Sequence, residues 1–563
     1  MNPDRRRSEI ESIRAPYAMQ RSARGNPGPL LPEPGGPAVR PMRQAKLHSH
    51  TPLAYRICDT STEGLLYALL VFTPWAFGTT QPWSIWTLNI GGYLLGLLLV
   101  AKWFIRWLTG FRPARWTDSP APEPVQIEAS PSRPDRIFTI SLALLTILLL
   151  AYTLVSAVNR RATFVPAKDR HDFFDPIMWL PHSYDSSRTW LAFWSYLALA
   201  LAFWAARDWL EGKTRRERRN AVEEHARLTA EPSTAQSSEE QRPRPGSHRH
   251  DFPERLRRLL WVLCINGAAL ALVGILQRLD KTEKLLWLVD PRWTDSDGFF
   301  GPFAYRSNAA AYLNLIWPVC LGFWFVLRRS AVQHHGSGGR IGGGSYVVLL
   351  PCAVLTASAP IISTSRGGAL VCMASIVAGT ILLLWASRRE KSWMRAGMLS
   401  LFVVILVFAG ALGWRELSVR LENVFTDELS GRTEIYRNSQ QLARESGALG
   451  TGPATFVSLY QLFQEPKQEW AAYLHDDWLE TRITFGWIGF GLAILALVLA
   501  STRWFFSSGV YAPSELVAFL WLALGGALVL AKFDFPFQIH SIVFLFLILC
   551  AVLSCVGKER SSV

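Results

Sequence analysis

Three arginines of this sequence stand beside glycine or serine where apolar runs begin or end. Arg366 lies in Ser365-Arg366-Gly367-Gly368, a very short link between two apolar stretches. Arg432 follows Gly431, at the start of a helical pattern. Arg306 closes Gly301-Pro302-Phe303-Ala304-Tyr305-Arg306-Ser307-Asn308, just before another apolar run. A guanidinium at the edge of hydrocarbon is costly unless it meets an anion. Its planar fork suits phosphate oxygens and does not lose its charge. The glycines let backbone approach closely and offer N–H groups near a helix start. Each arginine alone also suits an anchor for lipid headgroups; several on one face favour an anion site.

His475 sits in Tyr473-Leu474-His475-Asp476-Asp477-Trp478-Leu479-Glu480, leading into an apolar run. An imidazole can accept a proton near neutral pH. Asp476, Asp477 or Glu480 can orient the ring or raise its basicity. A structural role for this histidine stays open. Tyr473 and Trp478 fit either the face of a sugar or an interfacial aromatic belt. Asp534, in Asp534-Phe535-Pro536-Phe537-Gln538-Ile539-His540, adjoins apolar stretches and calls for a partner, an arginine being a candidate. No phosphate-binding P-loop, HExxH zinc motif or serine-nucleophile elbow occurs. Asp295-Ser296-Asp297 has the spacing of a nucleotide-sugar metal site but reads as a solvated loop without a nucleotide-binding domain around it. A single imidazole without a second points away from metal, so neither metal nor cofactor is expected.

Such residues need elements to hold them. The chain has 563 residues, 50% hydrophobic, with the apolar ones gathered in long runs and with 24 Trp, a residue favoured at bilayer interfaces. Runs of this kind predict an all-α fold, a polytopic bundle of about 12 membrane helices. The first is expected at 64–80, the ninth at 396–413 and the tenth at 485–503. The domain reading is a disordered basic cytoplasmic tail (1–60), N-terminal spans (61–209), a flexible cytoplasmic insertion (210–257), central spans (258–413), a large helical periplasmic loop (414–484), C-terminal spans (485–557) and a short cytoplasmic tail (558–563). The loop carries an amphipathic pattern over Ile435–Leu442 and a turn at Gly450-Thr451-Gly452-Pro453.

The net charge is +14. Much of the excess lies in the tail and between Lys213 and Arg258, which fits cytoplasmic segments. The basic stretches lack interleaved aromatics, so nucleic acid is not expected as a partner. The seven Cys form no CxxC pair and read as small apolar residues. No signal peptide is visible; the first apolar run, near Leu65, reads as a retained span.

In order along the chain, these residues resemble the O-antigen ligase and O-antigen polymerase superfamily of bacterial membrane glycosyltransferases. The likeness rests on the Gly301–Asn308 segment, Ser365-Arg366-Gly367-Gly368, Gly431-Arg432, the Gly450–Pro453 turn, His475 ahead of Leu479-Glu480, Gly486 to Gly489, and Asp534-Phe535-Pro536. Trp179-Leu180-Pro181-His182-Ser183-Tyr184-Asp185 is similar to family members too. The resemblance covers roughly residues 60 to 555. Asp476 stands where the family often has Asn, and the tail and the 210–257 insertion lie outside the shared pattern.

The resemblance implies a glycan donor on polyprenyl pyrophosphate, with no metal or nucleotide. It implies an acceptor hydroxyl on a lipid, glycan or protein. Transfer would be inverting, on the periplasmic face of a bacterial inner membrane, in surface polysaccharide or lipopolysaccharide synthesis. His475 would be the base, and Arg366, Arg432 and Arg306 would hold pyrophosphate, with Asp476, Asp477, Glu480 and Asp534 in support. A secondary transporter, suggested by the span count, and a non-catalytic protein of glycan export or assembly are the alternatives.

Overall fold

The computed structural model describes residues 51–116, 133–165, 170–220, 252–291, 298–335, 345–388, 392–422, 428–462, 473–506 and 510–557. The expected tail up to residue 50, residues 221–251 of the insertion, Asp295–Asp297 and residues 558–563 lie outside them.

The elements are helices almost throughout. They run α1 (Leu53–Trp75), α2 (Pro82–Thr109), α3 (Arg133–Val158), α4 (Ser186–Glu211), α5 (Glu254–Asp280), α6 (Arg306–His335), α7 (Leu349–Ile362), α8 (Arg366–Ala386), α9 (Ser392–Glu422), α10 (Glu428–Glu445), α11 (Phe456–Tyr460), α12 (Asp477–Phe506), α13 (Ser514–Leu530) and α14 (His540–Cys555). Among the described residues, nine helical segments are long and apolar enough to cross a membrane, and α13 and α14 are shorter apolar helices. Between α3 and α4, β1 (Ala162–Val165) and β2 (Arg170–Phe173) form an antiparallel hairpin, with Ala162 opposite Phe173.

The hub is α6. Of its apolar stretch 94% is buried, against 24% for α9 and 28% for α3 and α12. A helix apolar on all faces and covered on all of them belongs inside a bundle. It packs on α13, α7, α5 and α8, while α2 packs on α4 and α12 on α3 and α14. The arginine that opens α6 is Arg306, so the most enclosed helix carries a site candidate at its end.

Three boundaries differ from the sequence reading. α1 starts at Leu53, inside the expected tail, and ends before residue 80. Its first half carries Asp59 and Glu63, which pair with Arg255 and Arg258 of α5. A hydropathy window counts those charges against a helix; ion pairing between helices keeps them in one. α9 continues to Glu422, nine residues past 413, and α12 begins at Asp477 rather than near 485. The expected large loop is thus helical at both edges.

Candidate functional site

The link between α7 and α8 is as tight as its sequence suggests. Thr364, buried, takes a left-handed φ of 59°. Ser365 caps α8, its Oγ accepting from the Gly368 N–H at 3.2 Å. Gly368 is needed for a second reason: a Cβ there would lie 2.3 Å from the Cβ of Ala310 on α6. Asn314 of α6 donates to the Gly368 carbonyl at 2.9 Å. The two helix starts that carry Arg306 and Arg366 are therefore locked side by side. Ser307 and Ser365, each next to one of these arginines, meet with their hydroxyls 3.0 Å apart.

Ser307 also donates to Oδ2 of Asp534, in the turn between α13 and α14. Oδ1 of the same carboxylate accepts from the Phe535 N–H at 3.0 Å and lies 3.3 Å from Nδ1 of His475. The chain thus gathers Arg306, Arg366, Asp534 and His475 from four separate places. The carboxylate that meets the imidazole is Asp534. The three nearer in sequence have other partners. Asp476 accepts from the Leu479 N–H at 3.0 Å, capping α12, and pairs with Lys532. Asp477 accepts from the Phe537 N–H at 2.7 Å and from Gln538 at 3.2 Å. Glu480 accepts from the Leu474 N–H at 3.3 Å. They fix the segment around His475 rather than its ring.

His475 itself has φ 56°, a left-handed value uncommon for a side-chain-bearing residue. Such a conformation persists only where the surroundings impose it. Tyr436 of α10 donates its hydroxyl to the His475 carbonyl at 3.0 Å. The Asp477 N–H, two residues on, donates to the Ala531 carbonyl at 2.8 Å. The ring edge rests on Phe535 at 4.8 Å, and Phe535 is stacked between Tyr305 at 5.5 Å and Tyr473 at 4.5 Å. Burial, with Glu480 near it, pushes the Tyr473 phenol up, which keeps it neutral. Trp478 turns inward instead, donating to the Leu528 carbonyl at 3.0 Å.

The glycine turn of the loop docks against α12. Gly486 breaks the helix at φ 63°, and a Cβ there would meet the Ala448 carbonyl at 2.3 Å. Gly452 and Thr451 donate to the Thr484 and Ile483 carbonyls at 2.9 and 3.0 Å. Tyr152 of α3 bonds the carbonyls of Leu449 and Phe485 at 2.6 and 2.8 Å.

A cavity of about 690 Å³ opens at the arginines. Arg306, Arg366, Ser307, Ser365 and Asp534 form its polar end. From there it follows apolar faces of α8, through Leu370, Ala374 and Ala378, and of α13, through Val529, Gly525 and Trp521. Residues 366 to 378 of α8 span about 18 Å at about 1.5 Å per residue. Head and trough together have the outline of an amphiphile: a charged group, then a long hydrocarbon chain.

Residues 351–495 match the O-antigen ligase family. Over that segment the chain is similar to the O-antigen ligase family. No curated protein and no solved structure matches the chain. The ligase-family segment includes Arg366, Arg432 and His475, whereas Arg306 and Asp534 lie on either side of it and reach the site through Ser307. Arg432 falls in the first half of α10; its side chain lies outside the described residues. Sequence reasoning did not single out Ser307, Tyr436 or Phe535. A serine beside each of two arginines was a visible signal for the Ser307–Ser365 contact; for Tyr436 the amphipathic pattern of α10 gave only its helix.

Proposed function

We propose that the protein transfers or polymerises a glycan from a polyprenyl-pyrophosphate donor, at the periplasmic face of a bacterial inner membrane, without a metal ion. The observation that carries this reading is the contact of His475 with Asp534, which lines the head of an apolar trough together with Arg306 and Arg366. The trough takes the polyprenyl chain and the arginines take the diphosphate.

The acceptor hydroxyl attacks the anomeric carbon of the donor sugar. A carbon–oxygen bond forms to the acceptor as the bond to the diphosphate oxygen breaks, with inversion. With Nδ1–H directed at Asp534, Nε2 is the acceptor of the hydroxyl proton. Asp534 holds the ring and stabilises the imidazolium that forms, the part a buried carboxylate plays behind a histidine base. The leaving polyprenyl pyrophosphate gains negative charge, which Arg366 and Arg306 stabilise with fixed donors. Arg432, on the helix that also carries Tyr436, is the third arginine of this reading.

The test is transfer by the purified chain in lipid vesicles from a polyprenyl-pyrophosphate glycan. His475→Ala is expected to abolish transfer, at about 10²- to 10⁴-fold for a positioned base, with unchanged expression and thermal stability. Undiminished transfer by this variant would remove the base from the proposal.

A further inference from the structure

A second cavity, of about 390 Å³, opens between α3, α4, α12 and α14. Most of its wall is hydrocarbon, including Leu149, Phe203, Phe490, Ala493 and Leu547. Its polar end is formed by Asp477, Glu480, Thr481, Thr484 and Gln538. The two carboxylates there are 2% and 4% exposed. Among its described lining residues there is no Lys, Arg or His. The arginine-headed cavity has the opposite character.

The two cavities share one thin wall, the turn at 534–538. Asp534 lines the first, Phe537 and Gln538 line the second, and Asp477 bonds both of the latter. His475, bonded to Asp534 and two residues before Asp477, stands at this wall. The second cavity lies among helices with largely uncovered apolar faces. Only 28% of the apolar stretch of α3 and of α12 is buried, which sets the cavity at the periphery of the bundle.

We propose that this second cavity seats a hydrocarbon chain of the acceptor. The acceptor is then a lipid-borne hydroxyl compound with no phosphate at the point where its head leaves the cavity. Charge sorts the two substrates: a diphosphate entering here leaves water for two buried carboxyl groups and meets no cation among the described lining residues, so its desolvation goes uncompensated. It is matched instead by the two arginines across the wall. A hydroxylated, uncharged head finds acceptors and donors in Asp477, Glu480, Thr481 and Gln538. This inference rests on the donor occupying the arginine-headed cavity.

The full chain in vesicles can be labelled with two photoreactive probes, an uncharged long-chain alkyl glycoside and a polyprenyl phosphate, and the adducts mapped by peptide mass spectrometry. The alkyl glycoside is expected on α3, α12 and α14, competed by unlabelled alkyl glycoside and not by polyprenyl phosphate. The polyprenyl phosphate is expected on α8 and α13. Ala493→Phe should cut alkyl glycoside labelling about 10-fold or more and raise KM for an alkyl glycoside acceptor alike, with polyprenyl phosphate labelling retained. Polyprenyl phosphate on α3, α12 and α14, or no alkyl glycoside there in the unaltered chain, overturns the inference. Absence of polyprenyl phosphate from α8 and α13 overturns the donor reading instead.

Discussion

A histidine that must accept a proton needs a fixed tautomer and a fixed direction, and His475 has a separate group for each. Asp534 faces Nδ1 at 3.3 Å, while Tyr436 holds the backbone carbonyl at 3.0 Å. Removing either is expected to disturb transfer in its own measure. Asp534→Asn keeps the shape but not the charge behind the ring; kcat should fall about 10²- to 10⁴-fold, as for loss of a general base, with donor KM little changed. A fall in donor binding alone would instead make Asp534 a part of the diphosphate pocket. Tyr436→Phe deletes one hydroxyl. A net hydrogen bond of about 0.5–1.5 kcal/mol corresponds to about a 2- to 10-fold lower kcat, read in steady-state transfer with donor capture measured alongside. His475, Arg366 and Asp534 stood out in the sequence because polar residues at the ends of apolar runs are few. Their partners did not. Tyr436 is 39 residues from His475, and Ser307 is 227 from Asp534. Nothing in local pattern encodes a contact across such separations; the packing of α10 against α12 creates the first and that of α6 against α13 the second.

Helices were legible where hydropathy alone decides and less so where charge or glycine intervenes. α1 was read too short because its charges are paired with α5, and the start of α12 was displaced because Gly486 interrupts it. The same glycine gives a test of the element. Gly486→Ala puts a Cβ 2.3 Å from the Ala448 carbonyl at a left-handed φ. A loss of more than about 1 kcal/mol is expected, seen as a lower unfolding temperature in detergent. Gly525 of α13 is the contrasting case. It lines the arginine-headed trough, and a Cβ there meets nothing within 4 Å. Gly525→Leu should therefore fold at least as well as the unaltered chain, since leucine favours helix over glycine. Its side chain enters the trough, so donor binding is expected to weaken at least 10-fold, by roughly the burial of one leucine. Unchanged donor affinity in a folded Gly525→Leu protein would put the polyprenyl chain elsewhere.

The molecule as a whole has two unlike ends. At one, Asp59, Lys102, Arg106, Arg115, Asp208 and Arg255 join α1, α2, α4 and α5 in ion pairs. Arg503 and Asp135 add a buried pair, and Arg329 meets Glu515. At the other end stand Arg306, Arg366, His475 and Asp534. Since α6 carries Arg306 at its start and Arg329 in its last turns, and α12 carries Asp477 at its start and Arg503 in its last turn, each joins one end to the other. We propose that the two ends face different compartments, the first the cytoplasm, as an excess of Lys and Arg predicts for a bundle that crosses a bilayer. Cysteine labelling checks this directly. Of the seven native cysteines, six are buried; Cys58, beside Asp59 on α1, is the partly exposed one. It reports the charged end without mutation. Leu288, between α5 and α6, is 79% exposed and reports the other end as Leu288→Cys. In intact spheroplasts a membrane-impermeant maleimide should modify position 288 and leave Cys58 untouched until the membrane is permeabilised. The reverse pattern would turn the imidazole and arginines toward the cytoplasm. The geometry around His475 would survive that result, but transfer at the periplasmic face would not.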